Sequence, residues 1–165
     1  MNILIIGGTR NLGHYLTYAL LEAGHQVTVI NRGLTTDELP QEVERRRADR
    51  TDVDQLKAAL GGREYDAVVD TALYKGPEAE AIVNLLRDKT GHYVFLSTGQ
   101  VYLVRDGLKR PFSEADYAGP EMPMPEPNTY NYEEWCYGHD KRLAEDVLTA
   151  AWETRQFPFT TLRLP

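Results

Sequence analysis

Short runs of apolar, β-branched residues alternate along this chain with stretches whose apolar positions recur every three or four residues. The first run, residues 2–6, is Asn-Ile-Leu-Ile-Ile and reads as a strand. After it, Leu12, Tyr15, Leu16, Ala19, Leu20 and Ala23 fall at helical spacing, and Gly24 is a natural stop. The same pattern predicts further strands over 26–31, 44–48, 66–71, 93–97 and 159–164, the second of these only weakly patterned. Helices are expected over 53–60, 78–89 and 135–154. Such alternation implies βαβ units and an α/β fold, a doubly wound parallel sheet.

One stretch breaks the rhythm. Pro120, Pro123, Pro125 and Pro127 fall close together, so 117–132 is expected to be an irregular loop. Two readings stand for it, a surface excursion and a lid on the substrate side. The sequence ends in Leu-Arg-Leu-Pro165, at the end of a predicted strand. A doubly wound sheet usually carries its second half further. The expectation is one domain over 1–165 with the C-terminal substrate domain absent or truncated, either a fragment of a longer protein or a shortened relative.

Composition narrows the partners. The chain has 165 residues, 42% hydrophobic and 26% charged, the balance of a globular protein with a real core. Its formal net charge of -7 makes nucleic acid an unlikely partner, because such binders usually carry a basic face. A single cysteine, Cys136, excludes an internal disulfide framework and fits a reducing compartment. The start, Met-Asn-Ile-Leu-Ile-Ile, lacks the basic segment of a signal peptide. No run approaches the roughly 20 apolar residues of a membrane span. A cytoplasmic protein is expected. His14 and His139 have no ligating partners at metal-binding spacing, so no metal site is expected.

The candidate chemistry lies at two places. Near the amino end, Gly7-Gly8-Thr9-Arg10-Asn11-Leu12-Gly13 joins the first strand to the first helix. Gly7 and Gly8 permit a sharp turn, Gly13 permits close packing of the helix, and the helix amino end favours a pyrophosphate. A tight turn without a ligand is the alternative. The second strand ends in Asn31-Arg32-Gly33, where an acidic residue would take the ribose hydroxyls of NAD. Arg32 and Arg10 instead suit the 2′-phosphate of NADP, which is favoured over NAD. Asp49, with Arg50 beside it, is placed to meet the adenine. Thr71, Ala72 and Leu73 are expected to line the cofactor, and Lys75 to reach a phosphate or ribose; solvated surface residues are the alternative reading for the charged ones.

Near the carboxyl end, Tyr137 and Lys141 stand one helical turn apart. An ammonium there would lower the pKa of the phenol, which could then exchange a proton with an alcohol or a carbonyl. Ser97 and Thr98 end the fifth strand, at the edge where open α/β sheets bind ligands, and the Thr98 hydroxyl would hold a substrate oxygen. The Tyr-x-x-x-Lys spacing also arises often by chance. Cys136 reads as an inert neighbour.

With these motifs in order, the chain resembles the extended short-chain dehydrogenase/reductase superfamily, in its NAD(P)-dependent epimerase/dehydratase group. The resemblance runs through nearly all of the sequence, as the N-terminal part of a longer pattern, and implies a Rossmann fold. The family's glycine motif is similar to Gly7 through Gly13. Its serine/threonine strand end resembles Leu96-Ser97-Thr98-Gly99-Gln100-Val101-Tyr102. The resemblance implies catalytic roles for Thr98, Tyr137 and Lys141, with Lys141 also on the nicotinamide ribose. It places Arg163-Leu164-Pro165 on the nicotinamide side. It further implies a small-molecule substrate, of the nucleotide-sugar kind, and a homodimer formed through helices 78–89 and 135–154. Three departures stand out. Arg10 replaces the central glycine, so its side chain must point away from the pyrophosphate or reach a 2′-phosphate. Gly99-Gln100 replaces the Asp-Glu pair of the family's dehydratases. The segment between Tyr74 and Tyr93 is short. These resemble an atypical branch, similar to the chloroplast RNA-associated members, some without redox activity. A non-catalytic NADP-binding regulator or an RNA-associated protein is therefore the alternative.

Overall fold

The computed structural model describes residues 1–34 and 36–165. Six strands form one sheet: β1 (Asn2–Ile6), β2 (Gln26–Asn31), β3 (Glu44–Arg47), β4 (Ala67–Asp70), β5 (Tyr93–Thr98) and β6 (Phe159–Leu164). Their order is β3-β2-β1-β4-β5-β6, and every pairing is parallel. The helices are α1 (Asn11–Glu22), α2 (Val53–Leu60), α3 (Gly76–Leu86), the short α4 (Gln100–Leu103) and α5 (Tyr130–Arg155). This is the doubly wound Rossmann order, with the sequence reversing direction between β1 and β4.

The apolar core lies on both faces of the sheet. Leu4 and Ile6 join Leu56, Ile82, Leu86, Phe95 and Leu148 on one face. Ile5, Val27 and Val29 meet the apolar side of α1, including Leu16 and Leu20, on the other. Strand alternation at period two therefore explains why β1 reads as a continuous apolar run. No helix among the described residues is long and apolar enough to cross a membrane.

Several boundaries differ from the sequence expectation. The first helix and all six strands stand where the pattern puts them, with β4 and β3 each trimmed at their ends. α3 starts at Gly76, ahead of the predicted 78, because Pro77 suits a helix's first turn; it stops at Leu86 because Asp88 has φ +58. α5 begins five residues before the predicted 135. Thr129 caps it by accepting the Tyr132 N–H at 3.2 Å, so the last residues of the expected loop are helical. Two short elements carry no periodicity to read, α4 and a 3-10 turn over Glu114–Tyr117, the latter closed by a Ser113/Asp116 capping box.

The proline-rich stretch is anchored rather than swung over the sheet edge. Met122 N–H donates to the Val104 carbonyl at 2.8 Å, and Arg142 pairs with Glu121 at 3.0 Å. Arg142 and Arg163 lie on the Tyr117 ring, 4.1 and 4.2 Å from its centroid. Residues 117–132 do not line the main cleft.

Candidate functional site

A cleft of about 810 Å³ runs along the carboxyl ends of the strands, across the point where the strand order reverses. Its floor begins at the turn after β1. Gly7 and Gly8 adopt φ of +100 and +80, a region that side chains disfavour. A Cβ on Gly7 would stand 2.1 Å from the Thr71 hydroxyl, and a Cβ on Gly13 would stand 2.6 Å from the Gly8 Cα. The turn and the first residues of α1 are thus pressed together, clipped by Thr71 Oγ1 donating to the Ile6 carbonyl at 3.0 Å. Arg10 occupies the cap position of α1, and no side chain caps that end. Thr9, Arg10, Asn11 and Leu12 line the cleft.

At the β2 end, Asn31 and Arg32 line the cleft, with Arg32 exposed. Asp49 lies across from them. Its Oδ1 accepts the Thr51 N–H at 2.9 Å and the Thr51 hydroxyl at 2.7 Å, and these bonds, with a smaller contribution from Arg32, lower its pKa. Arg50 also lines the cleft, but its guanidinium turns inward. It makes two bonds to the Asp70 carboxylate, at 2.8 and 2.9 Å, and lies 3.4 Å from Glu78. Asp70 is fully buried and also takes the Tyr93 hydroxyl at 2.8 Å and the Ala72 N–H at 2.9 Å. Three donors making four bonds on one carboxylate satisfy a charge that could not otherwise be buried there.

The Asp70 bonds shape the next turn, and that turn holds Lys141. Lys141 is 3% exposed. It donates to the Leu73 carbonyl at 2.6 Å and the Leu96 carbonyl at 2.9 Å, and sits 4.7 Å from the Tyr74 ring centroid and 4.8 Å from that of Phe95. Burial pulls its pKa down to about 8, partly opposed by Asp70. Two of its three N–H groups are engaged by carbonyls, leaving one for a further acceptor. Tyr137 is 38% exposed at the mouth of the cleft, its ring centroid 5.9 Å from the Lys141 ammonium. Here the sequence expectation is corrected. Burial raises the Tyr137 pKa, outweighing the opposite effect of the Thr98 hydroxyl. Lys141 spends two of its N–H groups on backbone carbonyls, and burial sets the net direction for the phenol.

Gly7 to Gly13, Asn31, Arg32, Asp49, Arg50, Thr71, Ala72, Ser97, Thr98, Tyr137, Lys141 and Pro165 all border this one cleft. Two expected residues do not. Leu73 packs its side chain in the core and offers only its carbonyl, to Lys141. Lys75 is an exposed residue at the cap of α3, away from the cleft. Ser97 gives its hydroxyl to the buried Glu145 at 2.5 Å. Sequence reasoning missed Asp70, Tyr74 and Glu78. The first had a legible signal, a carboxylate closing an apolar strand; the other two read as ordinary surface positions.

Comparison with known proteins agrees with this geometry. The profile of the NAD dependent epimerase/dehydratase family matches residues 3–165. The chain is 34% identical over 132 residues to the chloroplast stem-loop binding protein of 41 kDa b of Arabidopsis thaliana, covering 72% of this chain and 34% of that one. It is 28% identical over 152 residues to the 2'-dehydrokanamycin reductase of Streptomyces kanamyceticus, covering 92% and 39%. Its fold is similar to that of a UDP-glucose 4-epimerase from Thermotoga maritima, with a TM-score of 0.77 at 17% identity, over 99% of this chain and 55% of that one. The chain thus spans little more than a third of these curated relatives and about half of the epimerase structure. With a family profile matched from the first strand to the last, over the same glycine turn and strand ends that build the cleft, this chain belongs to the NAD dependent epimerase/dehydratase family.

Proposed function

We propose that the cleft binds NADP and supports hydride transfer on a small hydroxyl or carbonyl substrate, in the manner of an epimerase, dehydratase or reductase. The observation that carries this reading is the meeting of the glycine turn with Thr98, Tyr137 and Lys141 in one cleft. The residues fit the cofactor: Gly7 and Gly13 let the turn, Thr71 and α1 close on one another with no room for a Cβ, and the amino end of α1, which no side chain caps, borders the cleft where a pyrophosphate would lie. Gly8, Thr9, Asn11 and Leu12 would hold the phosphates, Arg10 and Arg32 the ribose phosphate, and Asp49 the adenine.

When bound, the nicotinamide supplies the hydride donor or acceptor. The protein's own part is proton movement and orientation. Tyr137 Oη gives a proton to a carbonyl oxygen or takes one from a hydroxyl. Thr98 Oγ1, bonded to the Gln100 N–H at 3.2 Å, holds that same oxygen. Lys141 uses its remaining N–H on the nicotinamide ribose. The phenol of the protein alone is held high, so the proposal assigns part of its activation to the cofactor's positive charge. The substrate class, a nucleotide-activated sugar or similar polyol, rests on the family. A homodimer would form through α3 and α5, which already pack on each other in this chain.

Calorimetric titration of the chain with NADPH and NADH tests the cofactor, and turnover with a panel of keto and nucleotide-sugar substrates tests the chemistry. NADPH is expected to bind more tightly than NADH. Tyr137→Phe is expected to keep that affinity while turnover falls by two or more orders of magnitude. Undiminished turnover in the variant would remove Tyr137 from the acid/base role. The similarity to a stem-loop binding protein favours one second reading, an RNA-associated member. The net charge of -7 weighs against it, and a fluorescence-anisotropy titration with stem-loop RNA decides it.

A further inference from the structure

We propose that Arg47, acting with Asn31, forms a donor-only recognition site for a phosphate on the adenosine 2′ position, and so decides between the two nicotinamide cofactors. This rests on the cofactor reading above and goes further, because it assigns the discrimination to a residue on the edge strand.

Asn31 closes β2, at the position where an acidic side chain would accept hydrogen bonds from ribose hydroxyls. Its amide oxygen is already taken. Oδ1 accepts the Gly33 N–H at 2.8 Å and a second bond from Arg47 Nη1. Both neighbours can only donate, so the oxygen must face them and the amide nitrogen must face away. The acceptor that ribose hydroxyls would need is therefore spent. What remains is Nδ2, a buried donor with no partner among the described residues. An unmade bond of this kind is costly in the interior, and an incoming oxygen acceptor relieves it.

Arg47 is held in place by the sheet. It is the direct partner of Asn31 across the parallel β2–β3 pair, and the Ala48 N–H locks that register by donating to the Asn31 carbonyl at 3.0 Å. Its side chain lies over Gly33, which lines the cleft; a Cβ there would stand 2.7 Å from Nε and 2.8 Å from Cδ. Glycine suits that spot twice, by its φ of +70 and by leaving room for the guanidinium. The surrounding charge favours an anion. Arg32 and Arg10 border the same end of the cleft. Of the nearby carboxylates, Asp37 is neutralised by Arg45 at 2.9 Å, which leaves Asp49 as the opposing charge near Arg32. A ribose 2′-hydroxyl has one proton to give and finds no open acceptor on Asn31. A phosphate monoester has only acceptors to offer, and meets an amide N–H and guanidinium N–H groups.

The test uses adenosine 2′,5′-bisphosphate and 5′-AMP, which differ only in the 2′-phosphate, titrated calorimetrically into wild type, Arg47→Ala, Asn31→Asp and Arg32→Ala. Wild type is expected to bind the bisphosphate at least tenfold more tightly than 5′-AMP. Arg47→Ala should lose most of that ratio and keep its 5′-AMP affinity, and Asn31→Asp should reverse it. Arg47 is exposed, so its truncation leaves the fold intact. A wild-type ratio in Arg47→Ala, with the ratio lost in Arg32→Ala, overturns this inference and leaves the NADP reading standing. Equal wild-type affinity for both nucleotides overturns the NADP preference and the inference together, and failure of both to bind overturns the cofactor reading itself.

Discussion

At the residue scale, the cleft is organised by buried charges held by an ion pair and by backbone carbonyls. Lys141 is the one whose protonation the structure holds near neutrality, at about 8 against an ordinary 10.5. A lysine with a depressed pKa opposes folding while it is charged. That penalty is fully present below about 8, shrinks as pH rises, and is gone above the unfolded value. Urea unfolding of wild type and Lys141→Met, compared from pH 7 to about pH 10.5, should therefore show wild type gaining stability relative to the variant on the alkaline side. A constant difference would mean that Lys141 titrates normally. Asp70 makes the second prediction at this scale. Its carboxylate neutralises the buried Arg50 and holds the Ala72 N–H of the turn whose Leu73 carbonyl receives Lys141. Asp70→Asn leaves Arg50 underpaired and is expected to cost roughly 3–5 kcal/mol in urea unfolding. Replacing both partners, as Asp70→Leu with Arg50→Met, should recover part of the loss, because neither charge of the pair then stays buried without the other.

At the scale of elements, the strand–turn–helix unit and α5 do different work. The turn depends on contact between backbones, so its glycines are sensitive to a single methyl. Gly13→Ala places Cβ against the Gly8 backbone, at 2.6 and 2.9 Å, where no flexible side chain can yield. We expect α1 to move away from the turn, stability to fall by about 1–3 kcal/mol and NADPH affinity to fall with it. Wild-type urea midpoint and affinity in this variant would show that the close approach is not needed. α5 is unusual in burying Lys141, Arg142 and Glu145 alongside Ala144, Leu148 and Ala151. Its polar buried residues meet the carboxyl ends of the strands, and its apolar ones cover the core. This mixed face explains why periodicity located the helix but misjudged its start: Tyr130 to Glu134 present no apolar stripe, and only the Thr129 cap marks the boundary.

At the scale of the whole molecule, the edge strand β6 is joined to the rest by a second charge cluster. Arg163 donates three bonds to Glu145, the shortest at 2.7 Å to Oε2, and one to the Tyr102 hydroxyl at 2.8 Å; it also pairs with Glu114, while Glu145 takes the Ser97 hydroxyl. Burial alone would lower the Arg163 pKa, but the bonds to Glu145 and Tyr102 outweigh it and raise it above the ordinary value. One carboxylate thus ties β5, β6 and α5, and through Arg163 the 3-10 turn. Glu145→Ala is expected to destabilise the molecule by about 3–5 kcal/mol and to increase hydrogen exchange first in β6. Uniform exchange with unchanged stability would assign the cluster no role in holding the edge.

The order of strands and helices could be read from the chain because each element's signal is local: β1 is apolar after Asn2, β2 is β-branched from Val27 to Ile30, α1 repeats at helical spacing, and glycines mark the turn between β1 and α1. The spacing of Tyr137 and Lys141 was equally local, since four residues on one helix share a face. What the sequence could not decide is which distant group each charge would meet. Arg50 and Asp70 are 20 residues apart and Asn31 and Arg47 are 16 apart, and each pair exists only because the chain folds their strand ends together. The direction of the Tyr137 pKa needed the fold as well. Proximity to a lysine predicted a lowered value, but the net sign follows from how deeply the phenol is buried, which is set by tertiary packing rather than by spacing along the helix.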